Sequence, residues 1–282
     1  MSIKYLGDST ARSFRTQGLR RTLTLTRSFI GNKFFPKESD ETVRRFRLGQ
    51  RLSQTFNHTV AYGPFKGLIL SNTSWWGAAD RGSMLLGIYE REVLETLENA
   101  SRGRRTFIDI GAADGYYAVG ALAANMFDQA TCFEISPAGQ EAILENARRN
   151  SVESRIKIFG EVTGDSLALL SSSHDIDLSE TVILMDIEGL EFEILSEAVL
   201  TKLQKSILII EIHDWEAPSA TSIGDLQKSA EKFFQVSWLT TGDRNLSVFP
   251  ELVEWPDDDR WILCSESRRK LMKWLVLTPL AS

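Results

Sequence analysis

The chain has 282 residues, 43% of them hydrophobic and 25% charged, with a net charge of −6. Such a length and composition describe an ordinary globular protein, long enough for one large domain or a domain plus an extension, and exclude a disordered or fibrous chain. The charge is uneven, +8 over residues 1–51 and −14 over the rest, so the acidic body argues against nucleic acid as the main partner of the core.

Cys132 and Cys264 are the two cysteines. Each lies in an apolar run and reads as a buried reduced thiol, with neither a disulfide framework nor a metal spacing. No apolar run approaches the ~20 residues of a membrane-spanning helix, and the N-terminus lacks the apolar stretch of a secretory signal. A reduced, cytoplasmic location without a transmembrane segment is expected.

Residues 1–37 are rich in Arg, Ser and Thr and contain one acid, Asp8. An organellar transit peptide has that composition, as does a basic arm that touches membrane or nucleic acid; a loosely packed extension or helical arm is the favoured reading. Residues 41–56 are helical, with Val43, Phe46, Leu48, Leu52 and Phe56 on one side. Thr59 to Leu70 reads as a hairpin broken at Gly63-Pro64. In the loop that follows, Trp75 and Trp76 stand adjacent. Core packing of at least one ring is favoured, with a substrate lid as the alternative. Ser83 is a candidate N-cap for a helix carrying Leu86, Tyr89, Val93 and Leu97.

The chain then reaches Arg-Thr-Phe-Ile-Asp-Ile-Gly-Ala-Ala-Asp-Gly-Tyr-Tyr, Arg105 to Tyr117. Phe107, Ile108 and Ile110 read as a buried parallel strand, Gly111 and Gly115 as a turn, and the residues after them as a helix. Strand, glycine turn and helix start form a concave anion or nucleotide site, because the first helical N–H groups lack partners. A dinucleotide fingerprint requires Gly-x-Gly-x-x-Gly, but Ala113 holds the middle position and Tyr116 the place of the third glycine. No Lys-Ser/Thr pair of a P-loop is present. The spacing Asp-x-Gly-x-x-x-Gly instead resembles the first motif of class I S-adenosylmethionine methyltransferases.

Further strands follow at Ala130–Glu134 and Ile156–Gly160, at Thr181–Gly189 as a strand and its exit, and at Ser206–Trp215. Ser136 caps the helix after the second, with Pro137 at its first position. The helix after the fourth presents Phe192, Leu195, Val199 and Leu203 as one buried stripe. Ser222 with Asp225 opens another helix. Val236–Leu239 and Trp261–Cys264 read as two last strands that could pair antiparallel at the edge, and Arg268 to Leu275 as a short terminal helix or tail. Strands alternating with helices imply right-handed crossovers and an α/β, Rossmann-like, doubly wound, mostly parallel sheet with an antiparallel edge strand and an N-terminal helical and hairpin extension. Ligands of such a sheet lie beyond the carboxyl ends of its strands, where Asp109, Glu134, Asp186, Glu188, Glu211 and His213 fall.

Taken together, residues 107–117, Phe133-Glu134, Met185-Asp-Ile-Glu-Gly-Leu-Glu191 and Ile210-Glu-Ile-His213 resemble the FkbM-type methyltransferases, in that family's order. The resemblance implies a Rossmann-like fold and methyl transfer from S-adenosylmethionine to a hydroxyl on a sugar, polyketide or similar small metabolite. Residues 1–58 then form a basic extension and 59–282 the methyltransferase domain, with a cofactor-binding core over 101–215. Three departures stand out: Ala113 where the family commonly has Asn, Ile135 in place of Pro, and Leu184 in place of Lys.

Cofactor contacts are assigned to Asp109, Gly111, Ala112, Ala113, Asp114, Gly115, Tyr116, Glu134, Ile135, Glu161 and Asp186. Glu134 accepts hydrogen bonds from the ribose hydroxyls, and Glu161, just after the third strand, lies beside the adenine. An alcohol acceptor must lose its proton, and His213 has the intrinsic pKa for that work. Asp186 and Glu188 point the same way if their strand continues that far, as do Glu211 and His213 on the neighbouring strand. These four are the catalytic candidates. They could instead hold a divalent cation that acidifies the hydroxyl; the metal-free account is favoured. Trp75, Trp76, Tyr117 and Trp215 are substrate candidates. A non-catalytic cofactor-binding scaffold using the basic arm is the alternative from another class, and an NAD-dependent dehydrogenase is disfavoured by Ala113 and Tyr116. No nucleic-acid partner is expected, and association into a homo-oligomer is left open.

Overall fold

The computed structural model describes residues 40–72, 74–170, 176–213, 223–266, 268 and 270–280. The chain divides after Val43, and the unit Arg44–Ser282 contains all the strands described here. Seven of them, β1 (Thr106–Ile110), β2 (Gln129–Phe133), β3 (Ile156–Phe159), β4 (Thr181–Met185), β5 (Ile207–Glu211), β6 (Phe234–Thr240) and β7 (Lys273–Pro279), form one sheet in the order β3-β2-β1-β4-β5-β7-β6. The first five pair in parallel, and β7 runs antiparallel between β5 and β6. Parallel neighbours need crossover connections, and the helical segments between successive parallel strands supply them. The order reverses at β1, where β2 lies on one side and β4 on the other. A crevice opens at such a switch point beyond the carboxyl ends.

Side-chain alternation sorts the core into two layers. Phe107, Cys132, Leu184, Ile209 and Trp274 face one layer. With them pack residues of α1 (Asp40–Thr55), α3 (Arg91–Ala100), α4 (Tyr116–Ala123) and α5 (Pro137–Arg149). Ile108, Phe133, Ile183, Ile210 and Leu275 face the other. That layer is covered by α6 (Gly164–Ala168), α7 (Glu191–Ile194), α8 (Glu197–Leu203) and α9 (Ile223–Ala230). This is the doubly wound arrangement expected from the sequence. Ser136 caps α5 as expected, its side chain accepting from the Gly139 N–H, with Pro137 at the first position.

Several local expectations give way. Trp261–Cys264 is not a strand but the end of a helix, α10 (Asp257–Cys264). Pro256 precedes it, and Asp257, Asp258 and Asp259 fill a first turn where the helix dipole favours anions. The final strand is β7, over a stretch read as helix or tail. Its alternate residues are buried on both faces, which hides the period that marks a half-exposed strand. Ser83 is not a cap: it lies inside α2 (Arg81–Leu85), its hydroxyl donating to the Asp80 carbonyl at 2.8 Å. The chain then turns at Gly87 (φ +64°) and restarts at α3, so Leu86 and Tyr89 sit in the connection. Phe192, Leu195, Val199 and Leu203 are all buried, but the helix breaks at Leu195 and Ser196 recaps it as α8. The hairpin at 59–70 is reduced to one antiparallel bridge, Thr59 to Ile69. Residues 1–37 and Ser222 lie outside the described residues. Among those described, no helix is long and apolar enough to cross a membrane.

Candidate functional site

The site begins where β1 stops. Gly111 has φ +87°, and a Cβ there would sit 1.8 Å from the Asp186 carbonyl oxygen. Only glycine lets the two strand ends approach so closely. The Gly111 and Ala112 N–H groups donate to the Phe133 carbonyl at 2.9 and 3.2 Å, and the Asp186 N–H donates to the Ile110 carbonyl at 2.9 Å. The exits of β1, β2 and β4 are thus stitched together around the glycine turn. Ala113 adopts φ +51° and Gly115 φ +82° before α4 begins.

Glu134, directly after β2, is 6% exposed. Its Oε2 accepts from the Ala113 N–H at 2.9 Å and its Oε1 from the Ser136 N–H at 2.7 Å. Burial pushes its pKa up, and those backbone N–H groups oppose the shift. Each oxygen keeps a second lone pair. Ile135, next in the chain, is 76% exposed, an apolar side chain held at the rim beside a carboxylate. Glu161 is exposed in the loop after β3.

Two of the expected cofactor residues turn into the body instead. Asp109 shares the face of Phe107, so it meets α4: its Oδ2 accepts from the Ala118 N–H at 3.1 Å. Burial pushes its pKa up to about 8, against the pull of that hydrogen bond. The Tyr116 ring packs edge-on against Phe65 at 5.3 Å, and its hydroxyl is buried without a hydrogen-bond partner. The Asp114 carboxylate accepts from the Ser74 hydroxyl at 3.0 Å, and the Asp114 carbonyl accepts from the Asn146 amide at 2.8 Å.

The four catalytic candidates come together at the adjoining exits of β4 and β5. β4 ends at Met185, and Glu188 lies in a left-handed turn (φ +53°) followed by Gly189 (φ +98°). The strand therefore does not continue to Glu188, as the alternation argument required. Asp186 and Glu188 nonetheless both reach the His213 Nε2, each at 3.6 Å. His213 is 3% exposed. Its N–H donates to the Glu191 Oε1 at 2.7 Å, and its Nδ1 lies 3.2 Å from the same oxygen. Burial works against the charged imidazole, but the Glu191 hydrogen bond and the Asp186, Glu191 and Glu188 charges outweigh it and raise its pKa. Burial and the neighbouring Asp186 raise the Glu211 pKa well above the carboxylate range.

Glu191, Arg268 and Glu90 complete the cluster, and the sequence reading gave none of them a role. Glu191 is fully buried and also accepts from the Gly189 N–H at 2.9 Å. Arg268 donates to the Glu211 Oε1 at 3.1 Å and to the Glu90 carboxylate, which also accepts from the Tyr117 hydroxyl. Glu191 was visible in the Asp-Ile-Glu-Gly-Leu-Glu segment; Arg268 and Glu90 carried no local signal, since tertiary folding alone brings them in. Tyr117 thus spends its hydroxyl on the protein. Trp75 and Trp76 do not plug the core: they are 42% and 53% exposed, with rings side by side at 5.9 Å. Trp215 lies outside the described residues.

Among the described residues a divalent cation has one candidate position, for the ligand atoms of Asp186, Glu211 and His213 lie within 4.8 Å of one another, and the buried Asp186 Oδ1 has no hydrogen-bond partner. Arg268 already occupies Glu211, and its fixed positive charge competes with a cation there.

No family model matches the chain, and no curated protein matches it. Among solved structures, the chain is similar to an O-methyltransferase from Bacillus cereus in complex with SAH (12% identity, 92% of this chain and 100% of that one, TM-score 0.43). It is also similar to a precorrin-6y C5,15-methyltransferase from Geobacter metallireducens (11% identity, 67% and 89%, TM-score 0.44). A third is the B. subtilis M1A22 tRNA methyltransferase TrmK (16% identity, 66% and 64%, TM-score 0.41). Likeness of this degree does not distinguish one acceptor from another.

Proposed function

We propose that the chain is an S-adenosylmethionine-dependent methyltransferase of FkbM type that methylates a hydroxyl on a small, uncharged or cationic acceptor. The observation that carries this reading is the placement of a buried histidine, ringed by Asp186, Glu188 and Glu191, at the same sheet edge as the glycine turn and Glu134. Proton acceptor and nucleoside cradle then both stand beyond the carboxyl ends of the parallel strands.

The residues fit that cofactor. Glu134 offers two oxygens whose remaining lone pairs suit a pair of ribose hydroxyls, and exposed Ile135 offers an apolar surface for a flat base. The cofactor supplies a methyl group on a sulfonium, already activated by its positive charge. The protein aligns acceptor and donor and takes the hydroxyl proton. His213 Nε2 is the atom for that transfer, since Nδ1 is engaged by Glu191. Asp186 and Glu188 flank the same nitrogen and stabilise the imidazolium that forms.

The carboxylates also select the acceptor. Asp186 and Glu188 would repel phosphate at close range, and residues 52–282 carry −14 overall. A polyol or amino-alcohol suits the edge better than a nucleic acid. The test is transfer of a labelled methyl group to a panel of neutral, cationic and phosphorylated hydroxyl compounds and to tRNA. The reading expects turnover with a neutral or cationic member, lost in His213→Ala while cofactor affinity persists. Transfer to tRNA alone, or turnover by His213→Ala at the native rate, would overturn it.

A further inference from the structure

We infer that Glu191 is the positioning residue of the site: it fixes the tautomer of His213 and, through the same carboxylate, the turn that delivers Asp186 and Glu188. The inference rests on the proposed role of His213 as proton acceptor.

Three nitrogens converge on this one side chain. Its Oε1 faces the His213 main-chain N–H at 2.7 Å and Nδ1 at 3.2 Å, and its Oε2 faces the Gly189 N–H at 2.9 Å. The side chain is fully buried, so no water takes a share of these bonds. Both backbone groups can only donate. A carboxylate that accepts from both makes the imidazole Nδ1 the third donor, which leaves the lone pair on Nε2. Nε2 is the nitrogen 3.6 Å from Asp186 and Glu188.

The Gly189 bond gives the residue a second task. Glu188 and Gly189 both hold left-handed backbone angles, +53° and +98°, and a non-glycine residue adopts such an angle only under restraint from its surroundings. Glu191 supplies that restraint from two residues downstream, with the other end of its carboxylate anchored at the exit of β5. One buried side chain therefore sets the distance between the β4 turn and the imidazole. Glutamine cannot replace it: its amide has one oxygen for three donors, and its NH₂ would face an N–H.

The test uses the full chain with ¹⁵N-labelled histidine. Of the three histidines, His213 is assigned by difference from His213→Ala. In the wild-type protein its ¹⁵N signals should show hydrogen on Nδ1 and an unprotonated Nε2 above the ring's pKa. In Glu191→Gln the two tautomers should mix, and kcat should fall by about 10–100-fold. The Kd for S-adenosylhomocysteine should stay within about twofold in that variant, because Glu134 and the glycine turn are untouched. Glu191→Asp should recover part of kcat. A wild-type signal with hydrogen on Nε2 would overturn the inference by itself, without any activity measurement. So would a native kcat and tautomer in Glu191→Gln. If His213→Ala turns over normally, the proton-acceptor reading fails, while the tautomer measurement still decides whether Glu191 orients the ring.

Discussion

Gly111→Ala against Gly103→Ala separates the two reasons a glycine can be required. Both residues hold left-handed angles, +87° and +74°. A Cβ at position 103 would meet nothing within 4 Å, whereas at 111 it would lie 1.8 Å from the Asp186 carbonyl oxygen and 2.9 Å from its carbon. Alanine at either position incurs the left-handed penalty of about 1–2 kcal/mol. Only at 111 does it add an overpacking cost of about 1–3 kcal/mol, because the obstacle is backbone hydrogen-bonded into the β1–β4 pair and cannot rotate away. Gly111→Ala should therefore lose about 2–5 kcal/mol, and Gly103→Ala about 1–2. Urea unfolding followed by tryptophan fluorescence measures both. The displaced Asp186 carbonyl should also weaken S-adenosylhomocysteine binding in Gly111→Ala and leave it intact in Gly103→Ala. Equal losses of stability in the two variants would refute the argument that the β1 and β4 exits are in contact.

Asp109 makes stability depend on pH. Its folded pKa is raised to about 8, so between about pH 4 and 8 the folded state binds more protons than the unfolded one, and stability falls as pH rises by up to ~1.4 kcal/mol per unit. Asp109→Asn should flatten that slope in unfolding curves taken from pH 5 to 8.5; an unchanged slope counts against the buried acid. Arg244→Ala should cost about 3–5 kcal/mol in urea unfolding. It strips the cation from Glu92 and Glu266, which Arg244 binds at 2.7 and 2.8 Å, and a loss below ~1 kcal/mol would show that these carboxylates are not ionised as a pair. The metal-free account expects methyl transfer to survive dialysis against EDTA. A loss of more than about tenfold, restored by Mg or Mn, would put a cation among Asp186, Glu211 and His213 instead.

The parallel half of the sheet was legible because each strand is a short apolar run closed by a charged or turn residue; β1 and β4 carry that pattern buried throughout, and β5 is buried after Ile207. The meeting of Asp186, Glu188 and His213 was also legible, from their place at strand ends, although the assumed continuation of β4 was wrong and a left-handed turn produces the same convergence. The C-terminal region was not. Trp-Ile-Leu-Cys at 261–264 is too short for periodicity to separate strand from helix, and the deciding signal was the Asp triplet ahead of it. Glu191 stood in a quoted motif, but its role was hidden for a different reason. Its pairing with His213 joins an acid of one crossover to the strand after it, which no local spacing encodes.

The central claim is that Glu134 holds the nucleoside while His213 serves only the acceptor, and calorimetric titration of S-adenosylhomocysteine tests it most directly. Wild-type protein should bind one equivalent. Glu134→Ala should weaken binding by about 10–100-fold, the loss expected for hydrogen bonds to a charged group, and His213→Ala should change it by less than about twofold. No binding to the wild-type protein, or affinity that follows His213 and ignores Glu134, would contradict the account.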